Sequence, residues 1–456
     1  MYFPATTVIL PVFFLLLALP VRLHTQSATQ YAGPLPRITS GFGADGSFGV
    51  EVQTFPSPLF QGQNVTVYLP QGARESLPVI FFAHGFGAVL VDFYAELLRH
   101  LATRGYVVVY SPYQILGDAD FSQRYNTLWA GFEAAIRRFP DRIDTTRVGF
   151  MGHSYGAGAI PAMAFRAYVE RRWGARGRFL FPMAPWYAGQ ITNEQIRQIP
   201  ADTKLLMQIY NDDAVNDHQM AVEMFRALPI APSEKNFVNV LADTVVTSSG
   251  RYIYTAGHSL CVTGSSGTSA GAVEERAFDG YDVYAVFRLA DALAEYTFTG
   301  SQTAKNVALG NGSAEQVFMG VVEGRALRTL VVTHPPMPNP RQRATWLCSN
   351  PFNPRRTNCT ATSIAAAYAT DISRSLTISP NPASHLVFVR GLNVPEGASE
   401  LVLRNMLGQR VMTQYVEQAG TATDVMLDVS LIPSGIYVLT VYSPKAVMTQ
   451  TMYIRR

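Results

Sequence analysis

Six apolar runs recur between residues 78 and 241: PVIFFA (78–83), YVVVY (106–110), VGFM (148–151), FLFPM (179–183), LLMQIY (205–210) and FVNVL (237–241). A strand that alternates apolar and polar residues buries one face. A strand that is apolar throughout is buried on both, which is how strands read in a parallel sheet covered by helices on each side. Helical periodicity fills most of the gaps, for example at residues 92–103, and residues 283–296 (VYAVFRLADALAEY) form a last amphipathic helix that closes the unit. Ahead of the first run, residues 50–70 (VEVQTFPSPLFQGQNVTVYLP) alternate and turn often, which predicts antiparallel strands. The expected core is therefore α/β, a sheet covered by helices on both faces. Residues 301–372, with mixed texture and the Pro-rich run HPPMPNP, are read as an extension packed on that domain.

The composition agrees with a large folded chain. Of 456 residues 48% are hydrophobic and 15% charged, which excludes disorder throughout, and the length is about three times a ~150-residue domain. A net charge of +3 is too small to build the basic surface that nucleic acid or an anionic membrane requires, so neither is an expected partner. Three Cys cannot make a disulfide-dense scaffold; Cys348 and Cys359, close together in a Pro/Asn-rich stretch, are candidates for a local bridge. The apolar run at residues 8–19 (VILPVFFLLLAL) is shorter than the ~20 residues that span a bilayer and contains Pro11, so residues 1–30 read as an export signal without a clean cleavage motif. No later segment is apolar for long enough to span a membrane. The expected product is therefore exported, secreted or at the cell surface, with no permanent membrane span.

The sharpest chemical signal is Gly152-His153-Ser154-Tyr155-Gly156, set directly after the run at 148–151 and before a helical stretch beginning near Gly156. A nucleophile on a tight strand-to-helix turn needs small neighbours, and Gly152 and Gly156 supply them. Such a turn lifts the Ser154 hydroxyl above the sheet, where the first N–H groups of the helix face a developing oxyanion. A serine hydroxyl needs a base to take its proton, and the base needs a carboxylate to hold its tautomer. Of eight His, His258 in Ala256-Gly257-His258-Ser259 lies after the last predicted strand and before the final helix; His153 is inside the turn and is expected to orient or pack. For the carboxylate, Asn211-Asp212-Asp213-Ala214-Val215-Asn216-Asp217 follows the run at 205–210, and spacing leaves Asp212, Asp213 and Asp217 open, since any of them can cap the next helix. With His218 the same acids could hold a cation, but a strand end followed by a helix accounts for them without one. No metal and no cofactor is expected.

On His84-Gly85-Phe86-Gly87, Gly152-His153-Ser154-Tyr155-Gly156, Ala184-Pro185-Trp186, the Asp cluster and Gly257-His258-Ser259, the unit resembles the α/β-hydrolase superfamily, in the branch of dienelactone hydrolases, chlorophyllases and cutinase-like polyester hydrolases. The resemblance implies catalytic Ser154, His258 and Asp213, the last because Val215 follows two places on, with oxyanion N–H groups from Phe86 and Tyr155. Dienelactone hydrolases proper use Cys where this chain has Ser154. Polyester hydrolases usually carry Met at the position of Tyr155, which leaves the subfamily open. Cys261 lies where some relatives have a bridged Cys, but no partner accompanies the Asp cluster. The expected activity is hydrolysis of a hydrophobic or aromatic carboxylic ester, small or polymeric, held in an open aromatic-lined cleft with Phe86 and Trp186 as binding residues at strand C-terminal ends. The competing expectations are a serine peptidase of the same fold and an inactive surface binding protein on a hydrolase scaffold; the intact Ser, His and Asp set argues against the second.

After Asp371 the texture changes to seven short alternating strands in about 80 residues, which predicts a small all-β sandwich over 376–456. Pro380-Asn381-Pro382, Leu407-Gly408-Gln409-Arg410-Val411, Asp428-Val429-Ser430-Leu431-Ile432-Pro433-Ser434-Gly435-Ile436-Tyr437 and the ending Arg455-Arg456 resemble the C-terminal sorting domain of type IX secretion cargo. That resemblance implies the type IX secretion machinery as a partner, passage across the outer membrane and removal of the tail. The expected organisation is a signal peptide (1–30), a hydrolase domain with its extension (31–359), an Ala/Thr-rich linker (360–375) and the sorting domain (376–456).

Overall fold

A computed structural model describes residues 30–115, 120–263, 278–338, 376–390, 397–405, 410–418, 425–442 and 447–455. The export signal, the Cys348–Cys359 pair and the linker fall outside these residues.

The first described unit is built on one nine-stranded sheet. In chain order its strands are β1 (Val50–Pro56), β2 (Asn64–Pro70), β3 (Leu77–Ala83), β4 (Val107–Tyr110), β5 (Ile143–His153), β6 (Gly177–Met183), β7 (Lys204–Tyr210) and β8 (Lys235–Val240). A hairpin of β9 (Asp243–Thr247) and β10 (Gly250–Tyr254) and a second of β11 (Val321–Val322) and β12 (Arg325–Ala326) pair apart from the sheet, which β13 (Val331–Thr333) completes. The order across the sheet is β1-β2-β4-β3-β5-β6-β7-β8-β13. The strands from β4 through β8 run parallel, while β1, β2 and β13 join antiparallel. All six apolar runs fall on parallel strands.

The doubly apolar pattern has a direct packing cause. Along β3, Ile80 and Phe82 enter one core with Leu97, Leu98 and Leu101 of α1 (Ala95–Thr103) and Leu289 and Leu293 of α6 (Arg288–Thr299). Val79 and Phe81 enter the opposite core with Leu128 and Phe132 of α2 (Phe121–Arg138), Ile160 and Met163 of α3 (Ser154–Ala164), Ile196 of α4 (Asn193–Arg197) and Phe225 of α5 (His218–Ala227). Successive residues point to opposite faces, so both faces demand apolar side chains, each contributing roughly 1.5–3 kcal/mol when fully buried.

Strand order places the site. From β3 the chain steps outward to β4 and then returns past β3 to β5, which puts the switch point of the sheet, where open α/β sheets bind ligands, at the C-terminal ends of β3 and β5. His84-Gly85-Phe86 follow β3 and Ser154 follows β5.

Three local features differ from the sequence reading. Helix α3 begins at Ser154 itself rather than near Gly156. The last helix opens as a wider π-helical turn, Asp282–Phe287, before α6. The extension is partly integral to the sheet: β13 pairs with β8 through Val331–Asn239, Val332–Val238 and Thr333–Phe237.

The tail forms seven strands in two sheets. Strands β14 (Thr377–Ser379), β15 (Leu386–Arg390) and β18 (Val425–Asp428) make one; β16 (Gly397–Asn405), β17 (Arg410–Gln418), β19 (Gly435–Tyr442) and β20 (Val447–Ile454) make the other. Val387, Val389 and Leu427 from the first and Leu401, Leu403, Leu439 and Val441 from the second share one core. The described residues of the tail are thus two antiparallel sheets around a shared core.

Candidate active site

Ser154 is the first residue of α3 and holds φ at +56°, an uncommon conformation for a residue with a Cβ. The sharp turn needs backbone contact on its inner side: a Cβ on Gly156 would run into the carbonyls of Ala83 and His84. His153, the residue before the helix, makes no side-chain cap, so the first-turn N–H groups of α3, that of Tyr155 among them, keep no capping partner from it.

The Ser154 Oγ lies 2.9 Å from His258 Nε2, and His258 Nδ1 lies 2.8 Å from Asp213 Oδ2. All three side chains are buried, with Ser154 at 3%, His258 at 3% and Asp213 at 2% exposure. Because a carboxylate only accepts, His258 carries its proton on Nδ1 and turns the Nε2 lone pair to the serine hydroxyl. Burial tends to raise the Asp213 carboxyl, but the charge and hydrogen bond of His258 and the Asn216 N–H outweigh it and hold the group below the ordinary carboxylate value.

The other acids go elsewhere. Asp212 is exposed and accepts from Asn211 Nδ2 at 2.9 Å, whereas Asp217 caps α5, accepting from Gln219 N at 2.8 Å. His218 Nε2 lies 2.9 Å from the Tyr210 carbonyl. The four groups of the Asp cluster thus diverge, and among the described residues no group of three or more His, Cys, Asp or Glu is arranged to hold a metal ion. Cys261 is a free, buried thiol.

The loop after β3 is held tightly. His84 Nδ1 donates to the Gly85 carbonyl at 2.8 Å, its Nε2 accepts from Tyr113 N at 3.2 Å, and its ring stacks on Tyr113 at 4.0 Å. Burial drives His84 down to about 3, so the ring is neutral, as this pair of bonds requires. In a trans peptide the Gly85 carbonyl and the Phe86 N–H point in opposite directions, so fixing the carbonyl aims the N–H. The Gly85 carbonyl also accepts from Ala88 N at 3.0 Å.

The aromatic residues depart from the expected open cleft. Phe86 and Tyr155 are buried, 8% and 6% exposed, and meet edge-on at 5.8 Å, with Phe121 stacked on Tyr155 at 5.3 Å and the Arg124 guanidinium 5.1 Å above the Phe86 ring. Packing by α2 closes these rings into a cluster instead of leaving them as facing platforms. Trp186 is half-buried and edge-on to Tyr187 at 5.4 Å, and its N–H donates to the Ser154 carbonyl at 2.8 Å.

Two residues at the site had no role in the sequence reading. Asn216 donates its backbone N–H to Asp213 Oδ1 at 2.9 Å and its Nδ2 to the Ala184 carbonyl at 2.7 Å, with the same nitrogen 3.4 Å from Ser154 Oγ. Its place in the Asp-x-Val-Asn run is the only local signal. Tyr94 bonds to His153 Nδ1 at 2.9 Å across 59 residues of sequence, and no short motif marks it.

Residues 377–455 match the family described as the secretion system C-terminal sorting domain. This tail marks proteins exported by type IX secretion to the cell surface or the extracellular space, and it names the secretion machinery as a partner of the chain. No curated protein matches the chain. Among the described residues no helix is long and apolar enough to cross a membrane.

Proposed function

We propose that this exported chain is a serine hydrolase of carboxylic esters, in the manner of the α/β-hydrolase superfamily. The observation that carries the reading is the continuous hydrogen-bonded line Asp213–His258–Ser154, with Ser154 at the end of β5, at the switch point in the parallel part of the sheet. Ser154 Oγ attacks the acyl carbon while His258 Nε2 takes its proton; Asp213 keeps the opposite proton on Nδ1 and stabilises the imidazolium. The Tyr155 and Phe86 N–H groups receive the oxyanion of the tetrahedral intermediate. His258 then protonates the departing alkoxide; a water, deprotonated by His258, attacks the acyl carbon, and as the C–Oγ bond breaks His258 passes that proton to Ser154 Oγ, releasing the acid. A hydrophobic or aromatic ester, small or polymeric, suits the half-buried Trp186 ring just after β6.

A panel of aryl and alkyl esters with matched amides, assayed on the purified protein and on Ser154→Ala, tests the proposal. The expected result is ester turnover that falls by about 10³-fold or more in the variant, without loss of fold. Preference for the amides would make the protein a peptidase. A protein inert to the whole panel would be a binding protein on this scaffold.

A further inference from the structure

A buried chain of hydrogen bonds joins the loop after β3 to the loop carrying His258, passing through His153, the residue before Ser154. Gly85 N donates to Tyr94 Oη at 3.0 Å, Tyr94 Oη lies 2.9 Å from His153 Nδ1, and His153 Nε2 lies 2.8 Å from the His258 carbonyl. Each bond has only one direction open to it. A carbonyl cannot donate, so His153 carries its proton on Nε2. Burial and the neighbouring His258 push His153 down to about 3, so the ring is neutral and Nδ1 is an acceptor. Tyr94, whose hydroxyl burial pushes well above its ordinary value, keeps its proton and donates it to Nδ1, leaving its lone pairs for Gly85 N–H.

The packing around this chain leaves no slack. His153 and Tyr94 are 1% and 0% exposed. A Cβ at Gly85 would stand 2.8 Å from His153 Nδ1 and 3.1 Å from Tyr94 Oη, so only glycine lets the three groups close on one another. The His153 ring also rests 4.8 Å from that of His258.

We propose that Tyr94 and His153 are positioning residues for acyl transfer, a buried strut that sets the separation between the Phe86 oxyanion donor and the His258 base on either side of Ser154. The inference rests on the serine-hydrolase reading. The strut touches neither substrate nor reacting atoms; it acts through Gly85, whose next peptide bears the Phe86 N–H, and through the backbone of His258. Its effect belongs to the transition state, where donor and base must both be in place as charge develops, and not to ground-state binding.

Tyr94→Phe tests this with little disturbance, because the ring keeps its packing on Phe82 at 4.7 Å and Tyr110 at 6.4 Å. Tyr168→Phe is the comparator: it removes a buried hydroxyl bonded at 3.0 Å to the Val148 carbonyl of β5, five residues before His153, and to the Phe179 carbonyl of β6. Steady-state ester hydrolysis, fluorophosphonate labelling and melting temperature are measured on both variants and the wild type. Tyr94→Phe is expected to lose about 10- to 100-fold in kcat with KM within about twofold, while Tyr168→Phe melts lower but keeps kcat within about twofold. Equal kcat in wild type and Tyr94→Phe, or equal losses in the two variants, overturns the inference while leaving the hydrolase reading intact. A wild type that neither labels nor turns over any ester overturns that reading, and the inference with it.

Discussion

Asp213 divides its two carboxylate oxygens between His258 and its own loop: Oδ2 lies 2.8 Å from His258 Nδ1, while Oδ1 accepts the N–H groups of Val215 and Asn216 at 2.8 and 2.9 Å. Anchored from behind in this way, the carboxylate presents one oxygen in one direction and holds a single His258 tautomer. Asp213→Asn either places an amide N–H against Nδ1 or, rotated, turns its NH2 group on the Val215 and Asn216 N–H donors. It is expected to lower kcat by about 10³- to 10⁴-fold. Asp212→Asn is expected to leave kcat within about twofold, and so is Asp217→Asn, whose amide oxygen still accepts from the Gln219 N–H and keeps the α5 cap. Kinetics and melting curves on the three variants separate these outcomes; a larger kcat loss at position 212 than at 213 would move the assignment.

Trp186 carries two separable features. Its backbone N–H bonds to Ser154 O and survives any side-chain substitution, while its half-buried ring stands beside Tyr187. If the ring is a substrate platform, Trp186→Ala raises KM for a bulky aryl ester much more than for a short acetyl ester. The expected difference is roughly 0.5–1.5 kcal/mol of binding, about 2- to 12-fold in KM. An equal rise for both esters together with a lower melting temperature would make the ring structural.

The parallel strands were legible because burial on both faces leaves an unbroken apolar run, as in β3, where Val79 and Phe81 serve one core and Ile80 and Phe82 the other. The meeting of Ser154 with His258 was legible because the Gly-x-Ser-x-Gly turn and the His-bearing loop each have a local signature. The choice among Asp212, Asp213 and Asp217 was not legible from spacing, since it depends on which side chain turns inward after β7. Tyr94 was invisible for a different reason: its partners, Gly85 and His153, meet it only through the tertiary fold. The same holds for β13, which pairs with β8 from about 90 residues away, and for the closed aromatic cluster, where α2 brings Phe121 onto Tyr155. The sorting tail was legible throughout, because its strands are short, alternating and punctuated by recognisable words.

His100 gives the fold an alkaline limit. Its ring lies between two carboxylates, Nδ1 2.8 Å from Asp45 Oδ1 and Nε2 3.0 Å from Asp291 Oδ2. Burial tends to lower the group, but Asp291 and Asp45 outweigh it and raise it from 6.5 to about 9. A raised folded-state value means that the stabilisation is full below about pH 6.5 and is lost as pH climbs through about 9. Denaturant unfolding at pH 7 and pH 10 should show lower stability at pH 10, and His100→Gln should flatten that difference. An unchanged pH dependence in the variant would place the alkaline sensitivity elsewhere.

Removal of the tail separates export from chemistry. The sorting domain has its own core, drawn from β14 through β20. A chain ended after about Ser375 is expected to keep its ester hydrolysis when purified and to fail to reach the medium or the cell surface in a host with type IX secretion. Fractionation with an activity assay checks both halves. Normal export of the shortened chain would contradict the sorting role of residues 377–455.

The most direct test of the central claim is covalent labelling of the wild-type protein with a fluorophosphonate, followed by peptide mass spectrometry. The expected result is a single stoichiometric adduct on Ser154, lost in Ser154→Ala and strongly slowed in His258→Ala, because only a serine whose proton His258 accepts attacks phosphorus at a useful rate. A protein that stays unlabelled while folded, or that labels at another serine, would contradict it.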